Sequence, residues 1–268
     1  MSLTPKPGDP TWVDLYTTDL DRAIAFYGEL FGWTADRGGE EFGGYTTLRK
    51  DGRAVAGAMG RHDDPGDPYP DRWTVFYLSS PDALATTAKV SRAGGNVIVE
   101  PMAVGDLGAM AVIGDVGGIG VGVWQADTFA GFEAVGIVAD GTWTDHIGVP
   151  SWFELITRAY DESLAFYRDV FGWRDTLTIA DTADFRYTTI HATPPMGGGI
   201  LDANGHLADG VPGSWTVFFG ADDVDKSAEQ AVALGGTVAF EPMNTPYGRL
   251  AGLIDPTGAH FSIGGNAR

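Results

Sequence analysis

The chain has no cysteine in 268 residues, which excludes disulfides, thiolate metal sites and a cysteine nucleophile, and suits a reducing compartment. It is also short of positive charge: 17 lysines and arginines stand against 36 aspartates and glutamates, for a formal net charge of -19. That balance repels phosphate backbones, and no basic patch offsets it, so no nucleic-acid partner is expected. Long apolar runs are missing as well, and no segment has the length and hydropathy needed to span a bilayer. The opening residues MSLTPKPGDP have neither a basic region nor an apolar core, so export is not expected and a cytoplasmic location is.

What is present is ordinary globular composition, 44% hydrophobic and 20% charged, with 39 glycines and 15 prolines spread between apolar runs as turn residues. An internal repeat organises the chain. Ala25-Phe26-Tyr27 with Phe31-Gly32-Trp33 returns as Ala165-Phe166-Tyr167 with Phe171-Gly172-Trp173. Trp73-Thr74-Val75-Phe76 returns as Trp215-Thr216-Val217-Phe218, and Gly94-Gly95 with Glu100-Pro101-Met102 as Gly235-Gly236 with Glu241-Pro242-Met243. Asp115 and Gly118 return as Asp255 and Gly258. Four blocks in one order describe a duplication, with copies at 8–125 and 149–266 and a linker at 126–148 that holds at most one short strand.

Within each copy the periodicity switches regularly. Trp12 to Thr17 alternates as a strand does, and the Asp19-Leu20-Asp21 start opens a helix whose apolar face carries Ala23, Ile24, Phe26, Tyr27, Leu30 and Phe31, closed at Gly32. Strands follow at 45–49 and 53–59, then at 73–78, a helix at 81–93, and strands near 96–99, 109–113 and 119–124. The second copy repeats this, with helices near 161–171 and 222–234. Each copy is therefore two strand-helix-strands units in an α+β chain.

At the Phe26-Tyr27 and Phe166-Tyr167 helices, the Phe-Gly-Trp turns, the double glycines and the closing Asp255-Pro256-Thr257-Gly258, the sequence resembles the vicinal-oxygen-chelate superfamily. That superfamily includes glyoxalase I, extradiol dioxygenases and bleomycin-resistance proteins. The resemblance implies two tandem glyoxalase-like domains, each of two βαβββ units curved into a half-open mixed β barrel with flanking helices. It is specific for fold and open as to chemistry.

Metal-dependent members of the superfamily place His, Gln or Glu on the first and last strands of each unit. Transferred by spacing, those positions fall at Trp12, Trp73, Trp152 and Trp215 and near Gly57, Gly122, Gly199 and Ser262. An indole donates a hydrogen bond but ligates no metal, so the standard metal site, and with it any cofactor, is not expected. Asp14 and Glu154 share a strand face with Trp12 and Trp152, and His260 shares one with Ser262. Glu154 and His260 are therefore the candidate catalytic pair. The ligand-contact candidates are Trp12, Asp14, Trp73, Trp152, Trp215 and Ser262, with Met102 and Met243 placed near a cavity mouth by proline-stiffened loops. Each has a plainer reading: the tryptophans as core, the Glu-Pro-Met turns as strand-setting devices, Glu154 as an ion-pair partner and His260 as a solvated turn residue. His62 and the Asp145-His146 pair carry little signal, and Gly197-Gly198-Gly199 lacks the lysine and hydroxyl of a phosphate loop. The partner expected is a small hydrophobic or cationic molecule, bound by a monomer or a homodimer. The alternative is an enzyme of lyase, dioxygenase or hydroxylase type using a nonstandard site.

Overall fold

The computed structural model describes residues 5–39, 43–60, 71–190 and 197–267. In the first half the elements run β1 (Pro10–Thr17), α1 (Leu20–Phe31), β2 (Trp33–Arg37), β3 (Thr46–Lys50), β4 (Arg53–Gly60), β5 (Arg72–Ser79), α2 (Ala83–Val90), β6 (Asn96–Val104), β7 (Gly108–Gly114) and β8 (Gly120–Ala126). A hairpin of β9 (Ile137–Ala139) and β10 (Thr142–Thr144) follows, so the expected linker holds two strands. The second half runs β11 (Pro150–Thr157), α3 (Tyr160–Phe171), β12 (Thr176–Asp181), β13 (Arg186–Ile190), β14 (Gly198–Asp202), β15 (Ser214–Gly220), α4 (Val224–Ala233), β16 (Thr237–Thr245), β17 (Gly248–Ile254) and β18 (His260–Gly265).

Each half forms one mixed eight-stranded sheet, in the order β2-β3-β4-β1-β5-β8-β7-β6 and, repeated, β12-β13-β14-β11-β15-β18-β17-β16. The first strand of each unit runs parallel to the last, while β2–β3, β3–β4, β6–β7 and β7–β8, with their repeats in the second half, are antiparallel. These are the tandem βαβββ pairs that the repeat implies.

The helices form where local chemistry favours them. The Asp19 side chain accepts a hydrogen bond from the Arg22 amide at 3.0 Å, and α1 ends at Gly32, whose φ of 70° is the left-handed conformation that a Cβ would oppose. Ala23, Phe26, Tyr27 and Phe31 are its buried face. In α3 no side chain caps the first turn from Ala159, but Asp161 and Glu162 lie there, where the helix dipole favours negative charge.

The described residues gather into two compact units that interleave along the sequence. One takes residues up to Trp12 with Val75–Gly131 and Phe153–Trp215, the other Val13–Thr74 with Phe132–Trp152 and from Thr216 onward. Each unit is built on the same buried knot. In the second, the Tyr27 hydroxyl donates to Asp255 Oδ2 at 2.9 Å and accepts from Trp73 Nε1 at 2.8 Å. Asp255 Oδ1 meanwhile accepts from Thr257, Gly258 and Ala259, forming the turn before β18. In the first unit, Tyr167 donates to Asp115 at 3.1 Å and accepts from Trp215 Nε1 at 3.2 Å. Burial pushes both phenols far above their ordinary pKa and raises Asp115 too, so the phenols hold their protons throughout the working range. Trp33 and Trp173, just past the ends of α1 and α3, are core residues, bonding through Nε1 to the carbonyls of Gly148 and Gly8.

Glu100-Pro101-Met102 and Glu241-Pro242-Met243 lie inside the edge strands β6 and β16, not in loops before a strand. Each coincides with a register shift, between Val99 and Met102 and between Phe240 and Met243. A proline cannot donate to a ladder, but on an edge strand at a bulge it removes no needed bond, so the strand continues through it.

Candidate functional site

Along β11, Phe153, Leu155 and Thr157 turn into the packed core, while Trp152, Glu154 and Ile156 point to the opposite face and stay partly accessible. Strand alternation alone dictates this separation. Glu154 lies directly across from Gly199 of the parallel strand β14, and Gly199 lies across from Thr189 of β13. A side chain at Gly199 would occupy the space held by the Tyr187 hydroxyl, so the glycine is what lets the phenol reach Glu154. Tyr187 is hydrogen-bonded to the Glu154 carboxyl. Burial raises that carboxyl to a pKa of about 7, against a smaller opposing effect of the Tyr187 bond. A carboxyl near neutrality is equipped to take up or release a proton at working pH.

Two features hold Tyr187 in place. Phe185, two residues earlier on the same face, stacks on its ring with centroids 5.9 Å apart and planes 8° from parallel. Behind the strand, Thr188 bonds the Tyr160 hydroxyl at 2.6 Å and Thr178 at 2.9 Å. The Arg186 guanidinium lies 4.3 Å over the Tyr160 ring and pairs with Asp161 and Asp181.

The other unit repeats the arrangement with a shorter acid. On β1, Val13, Leu15 and Thr17 face the core while Asp14 and Tyr16 turn outward, and Asp14 lies across from Gly57 of β4. The Tyr45 hydroxyl donates to Asp14 Oδ1 at 2.6 Å. A Cβ at Gly57 would strike both the Tyr45 hydroxyl and the Asp14 carboxylate.

The remaining candidates are placed as follows. Counting back seven residues from the helix starts at Asp19 and Ala159 gives Trp12 and Trp152; the same count from Asp82 and Asp223 gives Val75 and Thr216. Trp73 and Trp215 are therefore not equivalents of Trp12 and Trp152. Their indoles lie in the core, with Nε1 already committed to Tyr27 and Tyr167, which corrects the expectation that they line a ligand cavity. Trp12 is buried edge-on against Phe129, with ring centroids 5.0 Å apart. Ser262 is buried beside Phe218, Met102 and Met243 are exposed on their edge strands, and His260 is exposed at the start of β18, in a different compact unit from Glu154. His146 is buried, with Nε2 3.2 Å from the Ala221 carbonyl, and His62 lies outside the described residues.

Comparison with known proteins places these features in a family. The model of the glyoxalase/bleomycin resistance protein/dioxygenase superfamily matches residues 10–123 and 144–263. The chain belongs to this superfamily. A relative 39% identical over 277 residues, covering 96% of this chain and 93% of its own, is the anthracycline biosynthesis protein DauV of Streptomyces sp. strain C5. Among solved structures, the Mn(II)-bound glyoxalase from Novosphingobium aromaticivorans aligns with a TM-score of 0.63 at 19% identity, covering 96% of this chain and 82% of that one. The 2,3-dioxygenase LapB from Pseudomonas sp. KL28 aligns with a TM-score of 0.66 at 10% identity, covering 99% and 94%. At these identities the structural likeness concerns the fold.

Superfamily membership raises the question of a divalent metal. The positions where metal-dependent members carry ligands hold Trp12, Val75, Trp152 and Thr216 on the first strands of the units. The facing last strands hold Gly57, Gly122, Gly199 and Ser262, in register with Asp14, Tyr77, Glu154 and Phe218. That donor set does not fit a divalent ion, which needs several carboxylate or imidazole ligands around one point. Among the described residues no three His, Cys, Asp or Glu side chains converge in such a way. Sequence reasoning found Asp14, Glu154 and the two glycines but missed Tyr45 and Tyr187. The signal was there: Tyr45-Thr46-Thr47 returns as Tyr187-Thr188-Thr189 at the offset that relates Gly57 to Gly199.

Proposed function

We propose that this superfamily member binds a small organic molecule at the accessible face of β11, using Glu154 and Tyr187 and no metal cofactor. The observation that carries this reading is the Glu154–Tyr187 pair seated over Gly199. Such a pair is costly to keep half-buried unless something uses it. Aromatic neighbours favour a flat, largely apolar ligand, and the name of the relative DauV, an anthracycline biosynthesis protein, supports a polycyclic aromatic ligand. The acidic chain has no use for nucleic acid, and the absence of cysteine suits action in the cytoplasm.

A second reading has one observation in its favour. The Glu154 carboxyl, raised to about 7, matches a general acid or base, so proton transfer to or from a bound enolic or phenolic substrate is the enzymatic alternative.

The test is a tryptophan-fluorescence titration with alizarin, a planar dihydroxyanthraquinone, on the wild type and Glu154→Gln at about pH 6 and about pH 8, with elemental analysis of the untagged protein alongside. Saturable quenching that depends on pH in the wild type and not in Glu154→Gln supports the reading. Near-stoichiometric bound metal, or quenching indifferent to Glu154, overturns it.

A further inference from the structure

A cavity of about 310 Å³ opens in the first compact unit between α2 and the C-terminal end of α3, at the lower end of the range that takes small organic molecules. Its walls are apolar at Pro81, Ala85 and Phe171, and Lys89, Arg168 and Arg174 line it too. In a chain whose acids outnumber its bases 36 to 17, this cavity reverses the balance, with three cations against Asp82 and Asp169. Both carboxylates are engaged: Asp82 accepts from the Ala85 amide at 2.8 Å as the cap of α2, and Asp169 pairs with Arg168 at 3.0 Å. Lys89 Nζ donates to the Val170 carbonyl at 3.4 Å, which covers the negative end of α3 and leaves its other hydrogens for a further acceptor. Among the described residues the Arg174 guanidinium has no hydrogen-bond or ion-pair partner.

The duplication supplies a control. Lys89 and Gln230 each stand five residues before a double glycine, while Arg168 and Gly28 stand four before, and Arg174 and Thr34 two after, the glycines that end α3 and α1. Gln230 Nε2 donates to the Glu29 carbonyl at 2.8 Å, so α4 is tied to the end of α1 with none of the three charges present. Joining helix to helix therefore does not require them. The helix dipole rewards Arg168 in the last turn of α3, but Arg174 lies beyond the glycine stop. We propose that this cavity binds a small organic anion, an apolar body bearing one carboxylate, with Lys89 and Arg174 as the donors. Its apolar walls take the body of the ligand and its cations the charge. This site is independent of the one at Glu154.

The experiment is equilibrium dialysis of the full chain against 2-naphthoate, with the neutral 2-naphthamide in parallel, on the wild type, Lys89→Gln, Arg174→Thr, the double variant and Glu154→Gln. Lys89→Gln and Arg174→Thr each install the residue that the other unit carries at that place, so the helix ends keep their packing. The expected result is saturable naphthoate binding to the wild type and Glu154→Gln alike, weakened about tenfold by either cation substitution, the worth of one charge-assisted hydrogen bond. The amide should bind more weakly than the acid and respond to neither substitution. Equal naphthoate affinity in the wild type and the double variant overturns the proposal. So does binding lost only in Glu154→Gln, an amide held as tightly as the acid, or no naphthoate binding to the wild type.

Discussion

Tyr27 donates its hydroxyl proton to Asp255, 228 positions further along the chain, across 2.9 Å. Tyr167 does the same toward Asp115 at 3.1 Å. Each copy's first helix is thus satisfied by the closing turn of the other copy. Tyr27→Phe leaves both the Asp255 Oδ2 and the Trp73 indole without this partner in a buried setting, an expected loss of about 1–3 kcal/mol. Urea denaturation measures it. A double-mutant cycle with Asp255→Asn should show strong non-additivity, because the two residues share one bond; simple additivity would contradict the pairing.

Gly199→Ala places a Cβ where the Tyr187 hydroxyl and ring now lie. Tyr187 must move away from Glu154, so the carboxyl loses the bond that holds its pKa down and titrates higher still. The crowding should cost roughly 1–3 kcal/mol. NMR titration of the Glu154 carboxyl, with thermal unfolding, reads both effects. A variant with unchanged carboxyl titration would show that the glycine does not position the phenol.

Glu154 also makes stability depend on pH with a definite sign. Its pKa is raised from 4.5 when exposed to about 7 in the fold, so between those values the native state binds the extra proton. Its stabilising effect is complete below about 4.5 and is lost as pH rises through about 7, leaving a penalty of at most about 3 kcal/mol above that. Glu154→Gln should therefore be more stable than the wild type at about pH 8 and close to it at about pH 5.

His146 acts in the opposite sense. Burial lowers its pKa below the ordinary 6.5, outweighing its bond to the Ala221 carbonyl and the nearby Asp222 and Asp145. The unfolded chain then takes up the proton first, so the contribution of His146 is present above 6.5 and falls away as pH drops through the folded-state value. Unfolding of His146→Gln should show a flatter pH slope than the wild type below about pH 6.5. An identical slope would remove His146 from the account.

The parts of the fold written in local pattern were legible in the sequence. The alternation at Trp12–Thr17, the capped helix after Asp19 and the Gly32 and Gly172 stops all appear in the structure. The strand β2 escaped notice because it is mostly solvent-facing, with no apolar alternation to betray it; β12 does alternate at Leu177 and Ile179, but both of these face solvent. The Trp73 and Trp215 repeat was aligned on residue identity, whereas counting from the Asp223 helix start puts Thr216 at the Trp152 position and Trp215, one residue away, on the core face; Trp73 lies two residues from Val75, and its burial comes from the Tyr27 bond that no count reveals. The acid–tyrosine pairs join residues 31 and 33 positions apart, and no periodicity links them. The interleaving of the two units rests on bonds such as that from Tyr27 to Asp255, which only the folded chain reveals.

The bulged prolines on β6 and β16 have a bearing on the chain's social behaviour. An eight-stranded sheet that ends in a long regular strand invites another copy to add to it, and these ends carry Ile98, Met102, Phe240 and Met243 in the open. Pro101 and Pro242 break the ladder midway along each of those strands, and Glu100 and Glu241 set a negative charge beside each break. An approaching strand would meet a missing donor and a carboxylate at the same place, so the sheets are closed to recruits at a border where their greasy side chains would welcome them.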